Sequence, residues 1–544
     1  MQVRKLALAC AAAFGVASVP AFAQAPTPFQ APELTVYLSG ASAPQNLLGA
    51  LATSLFRTDS GYQVNVFFDN GGTPADNSDD GRGYRAYYGV MRNSADIPAA
   101  LQGKRVLLVN RARGGSVWGV SAVARAEAIQ TLAISAADCS ASPVSGSYRC
   151  NVTGIDPGAI DPATGLPRTP AGTERVPDFG VSDVAPIMFK APYNVEFGQT
   201  QLTAAELGRL TVSASNSLMM GLVATTNVPD TTSFSRAMYG AILTGQIQDW
   251  SAVNSAINTG NTQMVICRRV PGSGTQASYN WYFNNFPCQF SGIGGTGTQA
   301  PARMTDSATY INNGASWPLL NPAAPNSATN PRLINPADGF TVVENPASGE
   351  VRACLARASG GGDFNFTGDD GAFYRVQFGS GGYRAVGTLS LDSLNTTTPA
   401  SGFDSSEQSG TWSFRSMDGA GSFRTTTFGT TPVFTASGTG VHPTKANHIS
   451  GAYDFAAELT FQFRNVTVAG TPALSADPLK AAFVDLFIKR SSDPAILATL
   501  SAGPRAATAA IPDFGWDVTV NDNANRVTRA SRQGNMCSPL VYFR

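Results

Sequence analysis

Apolar, strand-like runs that close in a glycine- and serine-bearing turn and then open into a helix recur along this chain. That alternation restricts it to the α/β class. The sharpest case is "QMVICRRVPGSGTQASYNWYF" (263–283), a strand, a turn and a helix start in immediate succession. Near the front, "LTVYL" (34–38) runs through "SGASAP" into a helix that sets Leu47, Leu48, Leu51 and Leu55 on one face. Further strands are expected at "YQVNVFF" (62–68), at "RVLLVN" (105–110) and within "DFGVSDVAPI" (178–187). Helices are expected at "FSRAMYGAILTG" (234–245) and "PLKAAFVDLFIKRS" (478–491). "SLMMGLVATT" (217–226) is apolar almost throughout, the pattern of a parallel strand covered on both faces. With 544 residues the chain is long enough for two lobes or more, each with its own core.

Two stretches interrupt the alternation. Residues 289–345 are rich in Gly, Pro, Asn and Thr, and residues 359–440 in Gly, Ser and Thr with short alternating runs such as "FYRVQF" and "TWSFRSM". Both read as insertions of β-ribbon and loop on an α/β frame. At the front, Arg4 and Lys5, an apolar run and Ala21-Phe22-Ala23 form a secretory signal with cleavage before Gln24. Its removal leaves 35 cations against 37 carboxylates. So balanced a chain has no basic face for nucleic acid, and any anion site must be local. No later stretch reaches the roughly 18 apolar residues of a membrane span. Cys139, Cys150, Cys267, Cys288, Cys354 and Cys537 remain, an even number in an exported chain, which points to disulfides. Proximity favours Cys139–Cys150 and Cys267–Cys288, leaving Cys354–Cys537 as a long-range clasp.

The 263–283 stretch carries the most chemistry. The first turn of a helix offers free N–H donors and partial positive charge, where phosphate and sulfate bind. Gly272 and Gly274 let the backbone approach a ligand, and Arg269 adds a planar fork for two oxygens. Ser273 or Thr275 would equally serve as an ordinary cap. The stretch is not a P-loop, since no lysine follows, and Pro271 rules out a nucleophile elbow. Trp250, Tyr279, Trp281, Tyr282 and Phe283 read as packing residues, and Arg268 as a solvated or interlobe salt-bridge residue. His442 and His448 in "HPTKANH" read as exposed loop residues with no serine elbow beside them, so no catalytic residue, metal site or cofactor is expected. The aspartate pairs at 79–80 and 369–370 sit in glycine-rich loops that read as solvated or, at best, Ca²⁺-like.

Taken together, "RRVPGSGT", "DFGVSDVAPI", "AMYGAILTGQIQDWSAVN" (237–254), "VYLSGASAPQNLLGAL" (36–51), "YRAVGTLSLD" (383–392) and "AYDFAAELTFQF" (452–463) resemble, in order, stretches of the periplasmic phosphate-binding proteins that feed ABC importers. The resemblance leaves about a third of the chain, mostly the two insertions, uncovered. It implies a two-lobed type II periplasmic-binding-protein fold: a signal peptide at 1–23, lobe I from 24–226 and 462–544, and lobe II from 227–461 with insertions at about 289–345 and 359–440. It places Arg269, Ser273, Gly274 and Thr275 on the family's anion-binding positions. Asp183 falls on the aspartate that accepts the proton of a protonated oxyanion. Ser42 and Ser116 are the nearest candidates for the remaining hydroxyl contacts. Pro44 and Pro271 depart from the family, the first where a hydroxyl residue stands and the second where an acidic residue buttresses the arginine. The implied ligand is inorganic phosphate or a related oxyanion, the implied partner an ABC permease, and the implied location periplasmic or secreted. The length of the insertions also admits a secreted adhesion or secretion-related interaction protein on the same frame.

Overall fold

A computed structural model describes residues 27–59, 61–70, 81–142, 145–161, 164–288, 300–394, 410–427, 433–500, 508–511 and 526–543. The expected signal segment lies outside the described residues, as do the aspartates at 79–80 and parts of both expected insertions. Eight strands carry the architecture: β1 (Leu34–Gly40), β2 (Arg105–Arg111), β3 (Phe179–Ser182), β4 (Leu210–Thr225), β5 (Val265–Arg269), β6 (Thr341–Asn345), β7 (Ala385–Ser390) and β8 (Ala456–Arg464). One sheet runs β2-β1-β3-β8-β4, with β1 parallel to β2 and β3, and with β8 antiparallel to both its neighbours. The other runs β6-β5-β7-β4, with β5 parallel to β6 and β7, and with β4 antiparallel to β7. The molecule is α/β and two-lobed.

β4 belongs to both sheets. Its first part, to Met219, pairs with β8, and from Met220 it pairs with β7, so the chain crosses between lobes inside this strand. A second crossing lies beside it, where the Met220 N–H donates to the Phe455 carbonyl at 3.0 Å. The sequence predicts a parallel strand here, and the structure corrects that: β4 is antiparallel to every partner. Its run from Leu218 to Ala224 is apolar because two lobes cover it, which mimics the pattern of a parallel interior strand.

Four helices follow strands and position the site: α1 (Gln45–Leu55), α2 (Val117–Arg125), α3 (Gly274–Asn284) and α4 (Ser348–Gly360). The leucine face of α1 is buried as expected, with Leu47, Leu48, Leu51 and Leu55 at 1%, 2%, 0% and 0% exposure. Helices at Arg236–Leu243 and Pro478–Ser492 fall where the periodicity predicts them. The insertions contribute a three-stranded sheet of Arg332–Ile334, Phe373–Gln377 and Asp363–Thr367. They also contribute an antiparallel ribbon of Trp412–Arg415, Gly419–Thr427 and Val433–Gly438. β6 and β7 fall inside the expected insertion ranges and are members of the second sheet. No helix among the described residues is long and apolar enough to cross a membrane.

All six cysteines are paired, as Cys139–Cys150, Cys267–Cys354 and Cys288–Cys537. Two of the three expected pairs are corrected. Cys267 lies on β5 and Cys288 beyond the far end of the 11-residue α3. A helix of that length spans roughly 16 Å, too far for a bridge. α4 packs against β5 and presents Cys354 instead.

Candidate functional site

Parallel strands of an α/β sheet present their ligand sites at their carboxyl ends. Five such ends meet here, each within five residues of a polar side chain: β1 before Ser42, β2 before Ser116, β3 before Asp183, β5 before Ser273 and β6 before Ser348. These five side chains are all 3% exposed or less. Lobe I supplies Ser42, Ser116 and Asp183, and lobe II supplies Arg269, Ser273, Gly274, Thr275 and Ser348. All seven residues expected from the sequence are brought together.

Arg269, 2% exposed, organises one half. Its Nε donates to the Asn345 carbonyl at 3.0 Å, Nη1 to Ser42 Oγ at 2.5 Å and Ser348 Oγ at 3.2 Å, and Nη2 to the Pro346 carbonyl at 2.7 Å. Among the described residues this leaves one Nη2 proton unassigned. Nη2 lies against Gly115, where an added Cβ would sit 3.1 Å from it and 2.7 Å from Ser273 Cα. Gly115 is also at φ +94°, so both space and backbone conformation demand glycine.

Asp183 organises the other half. Its backbone N–H donates to Ser116 Oγ at 3.2 Å and its Oδ2 accepts from Thr275 Oγ1 at 3.1 Å. Its Oδ1 is buried and has no partner among the described residues. Gly274 touches both Ser116 and Asp183, since a Cβ there would come within 2.3 Å of Ser116 Oγ and 2.7 Å of Asp183 Cβ. Ser273 caps α3 by accepting the Gln276 N–H at 3.4 Å. The starts of α2, α3 and α4 therefore converge, each with a serine at the first turn and partial positive charge behind it.

α1 plays a different part. Its Asn46 and Leu47 N–H groups are taken by Asp392 Oδ2 at 2.8 and 3.3 Å. Those two donors therefore point to Asp392 and not to the site, and from this side the Ser42 hydroxyl reaches Arg269 and Ser348. Ser348 is the site residue that sequence reasoning missed. A weak signal was present: Ser348 precedes Glu350 at a helix start, and Glu350 Oε2 accepts the Ala347 N–H at 2.8 Å.

Burial pushes the Asp183 carboxyl up to about 7, against the lowering pull of Arg269. Burial also pulls Arg269 down to about 10, against the attraction of Asp183, so it stays cationic at neutral pH. A buried cation with a spare donor, hydroxyls beside it and a neighbouring carboxyl with an unsatisfied oxygen is an arrangement that an oxyanion carrying a proton would complete.

Several other readings are settled by burial. Trp250 is a packing residue, fully buried with Nε1 donating to the Arg384 carbonyl at 2.8 Å. Arg268, expected as a solvated or interlobe salt-bridge residue, is buried: it donates to the Arg269 and Ala302 carbonyls and lies 3.9 Å from Glu344 on the neighbouring strand β6, so its ion pair falls within one sheet. His448 is corrected likewise. It is buried, with Nε2 2.8 Å from Ser217 Oγ, and burial holds it down at about 4. The adjoining cavity is about 20 Å³, room for roughly one water. The aspartates at 369–370 are not a solvated loop either: Asp369 Oδ2 is out of water and Asp370 Oδ2 accepts from Arg332 Nη1 at 2.7 Å. Among the described residues there is no group of three or more side chains suited to a metal ion.

No protein-family model matches the chain, and no curated protein matches it. Among solved structures it is similar to a putative phosphate ABC transporter substrate-binding protein with bound phosphate from Clostridium perfringens, at 10% identity over 86% of this chain and 97% of that one, with a TM-score of 0.36. It is also similar to PstS from Borrelia burgdorferi, at 12% identity over 86% and 97%, with a TM-score of 0.28. A human phosphate binding apolipoprotein aligns at 14% identity over 61% and 76%, with a TM-score of 0.31. Likenesses at that level carry no residue of those proteins' sites over to this chain.

Proposed function

We propose that this protein binds a small tetrahedral oxyanion, phosphate first, by closing its two lobes over it. The observation that carries this reading is the buried Arg269, with one Nη2 proton unassigned among the described residues, set with the Ser42, Ser116, Ser273 and Ser348 hydroxyls and within electrostatic reach of Asp183, whose buried Oδ1 has no partner among the described residues. Charge neutralisation of a desolvated guanidinium favours an anion, and the hydroxyls and helix starts favour several oxygens over one. Asp183 sets the choice between anions. As a carboxylate it accepts a hydrogen bond from a protonated phosphate oxygen and repels sulfate, which has no proton to give. The signal-like segment at 1–23 supports a periplasmic or secreted location, and an ABC permease is the partner that a transport role requires.

Isothermal titration of the mature protein tests the reading. Phosphate is expected to give saturable heat and sulfate none. Arg269→Ala is expected to weaken phosphate about 100-fold or more, since a buried charge pair is lost. Asp183→Asn is expected to narrow the gap between phosphate and sulfate. Phosphate binding that survives both substitutions together contradicts the site assignment.

A further inference from the structure

Arg269 is aimed by one short segment of lobe II. Three of the four hydrogen bonds it donates end between residues 345 and 348, at the Asn345 and Pro346 carbonyls and the Ser348 hydroxyl. Glu350 braces that segment, its Oε2 accepting the buried Ala347 N–H at 2.8 Å. Such a bond satisfies an orphan donor at a helix start and fixes how the chain enters α4. Glu350 therefore acts on the anion site through the segment that holds Arg269.

The other carboxylate oxygen of Glu350 meets lobe I. Arg113, just beyond β2, brings Nη1 to 3.6 Å from Glu350 Oε1, and its Nη2 donates to the Thr367 carbonyl at 3.0 Å. One side chain of lobe I thus reaches two elements of lobe II, the start of α4 and the end of an inserted strand. The base of this arm is fixed, because the Arg113 N–H donates to the Gly83 carbonyl at 3.0 Å and the next residue, Gly114, donates to the Pro346 carbonyl. The inserted sheet meets lobe I once more where Gly371 lies against the Ile160 carbonyl, 3.3 Å from an added Cβ. Arg113, Glu350, Thr367, Gly371 and Ile160 all line a cavity of about 570 Å³ between the lobes, beside the oxyanion site.

An ion pair in free solvent contributes little, but the side chains of Arg113 and Glu350 are only 24% and 10% exposed. Burial pushes the Glu350 carboxyl up, and the charges of Arg113 and then Arg82 pull it back. Arg82 is a second cation of lobe I at this place, its Cγ 2.9 Å from where a Cβ on Gly349 would sit. Without Arg113, closure would bury Glu350 with less counter-charge, a penalty that open lobes escape because water reaches the carboxylate. We propose that Arg113 is an interlobe latch: it clasps Glu350 and the Thr367 carbonyl when the lobes close, and through Glu350 it sets the 345–348 segment that aims Arg269. Closure of the lobes and assembly of the anion site are then one event, and the inserted sheet supplies part of the catch. The effect on a bound anion rests on the oxyanion reading, whereas the clasp between the lobes does not.

Small-angle X-ray scattering of the mature, ligand-free chain tests the clasp. Arg113→Ala and Glu350→Gln are each expected to give a larger radius of gyration than wild type, with circular dichroism unchanged. Arg113→Lys, which keeps the charge, is expected to recover part of the difference. Stopped-flow release of phosphate tests the consequence: release from Arg113→Ala is expected to be about tenfold faster or more. Its preference for phosphate over sulfate should stay that of wild type, because Asp183 is untouched. An Arg113→Ala protein whose radius matches wild type overturns the proposal, whatever its affinity. A changed preference between phosphate and sulfate also overturns it, because Arg113 would then belong to the site itself. A wild type that gives no heat with phosphate removes the oxyanion reading alone, and the scattering still decides the clasp.

Discussion

With its carboxyl buried and pushed up to about 7, Asp183 should leave a mark on stability as well as on ligand choice. An unfolded aspartate ionises near 4. Between about pH 4 and 7 the folded protein therefore holds a proton that the unfolded chain has released. Stability is then full below about pH 4, falls as pH rises towards 7, and levels off above. In urea unfolding of the ligand-free protein, the wild type is expected to be less stable at pH 8 than at pH 5, and Asp183→Asn to flatten that slope. The slope should shrink and not vanish, because burial also pushes up Glu196, Glu350 and Asp369. An unchanged slope contradicts the buried-carboxyl picture. At this scale the sequence was informative where a residue sat inside a local pattern: Asp183 in "DFGVSD" and Arg269 with Ser273 in "RRVPGSGT". Ser348 escaped because its role comes from Ser42, the partner it meets across the lobe interface, and no local pattern encodes that partner.

At the scale of elements, strand and helix identities follow from periodicity, as with the leucines of α1, while pairing does not. β4 carries an interior-strand composition because two lobes cover it, so its antiparallel register was hidden. The disulfides show the same limit, since cysteines near in sequence are held apart by a rigid helix between them. Cys267–Cys354 matters for the site because it ties β5, which ends in Arg269, to α4, which begins with Ser348. The bridge closes a loop of sequence separation 87, for which chain entropy gives about 4–5 kcal/mol. Replacing both cysteines with serine is expected to lower the unfolding free energy by that order in urea titrations. It is also expected to weaken phosphate, because Ser348 and Arg269 lose their common tether. Unchanged stability and affinity together would show that packing alone holds α4 in place.

At the scale of the whole molecule, the lobes meet in a closed arrangement. Gly114 N–H reaches the Pro346 carbonyl and Val117 N–H reaches the Gly272 carbonyl at 2.9 Å, both across the interface. Closure buries Arg269 and Asp183 and so makes an anion worth binding. The near-zero net charge means that no long-range field draws the ligand in, and selectivity rests on these few side chains. The α/β class and the convergence of the motifs were legible in the chain, whereas the walls that the insertions add to the outer cleft were not. The most direct measurement is a crystal structure grown with arsenate, a tetrahedral anion of phosphate-like shape whose arsenic can be located by anomalous scattering. One arsenic peak is expected, enclosed by Arg269 Nη2, the Ser116 and Ser273 hydroxyls and Asp183 Oδ1, with oxygens about 3 Å from those atoms. Lobes closed as described with no arsenic there, or arsenic only in the neighbouring cavity, would contradict the oxyanion reading.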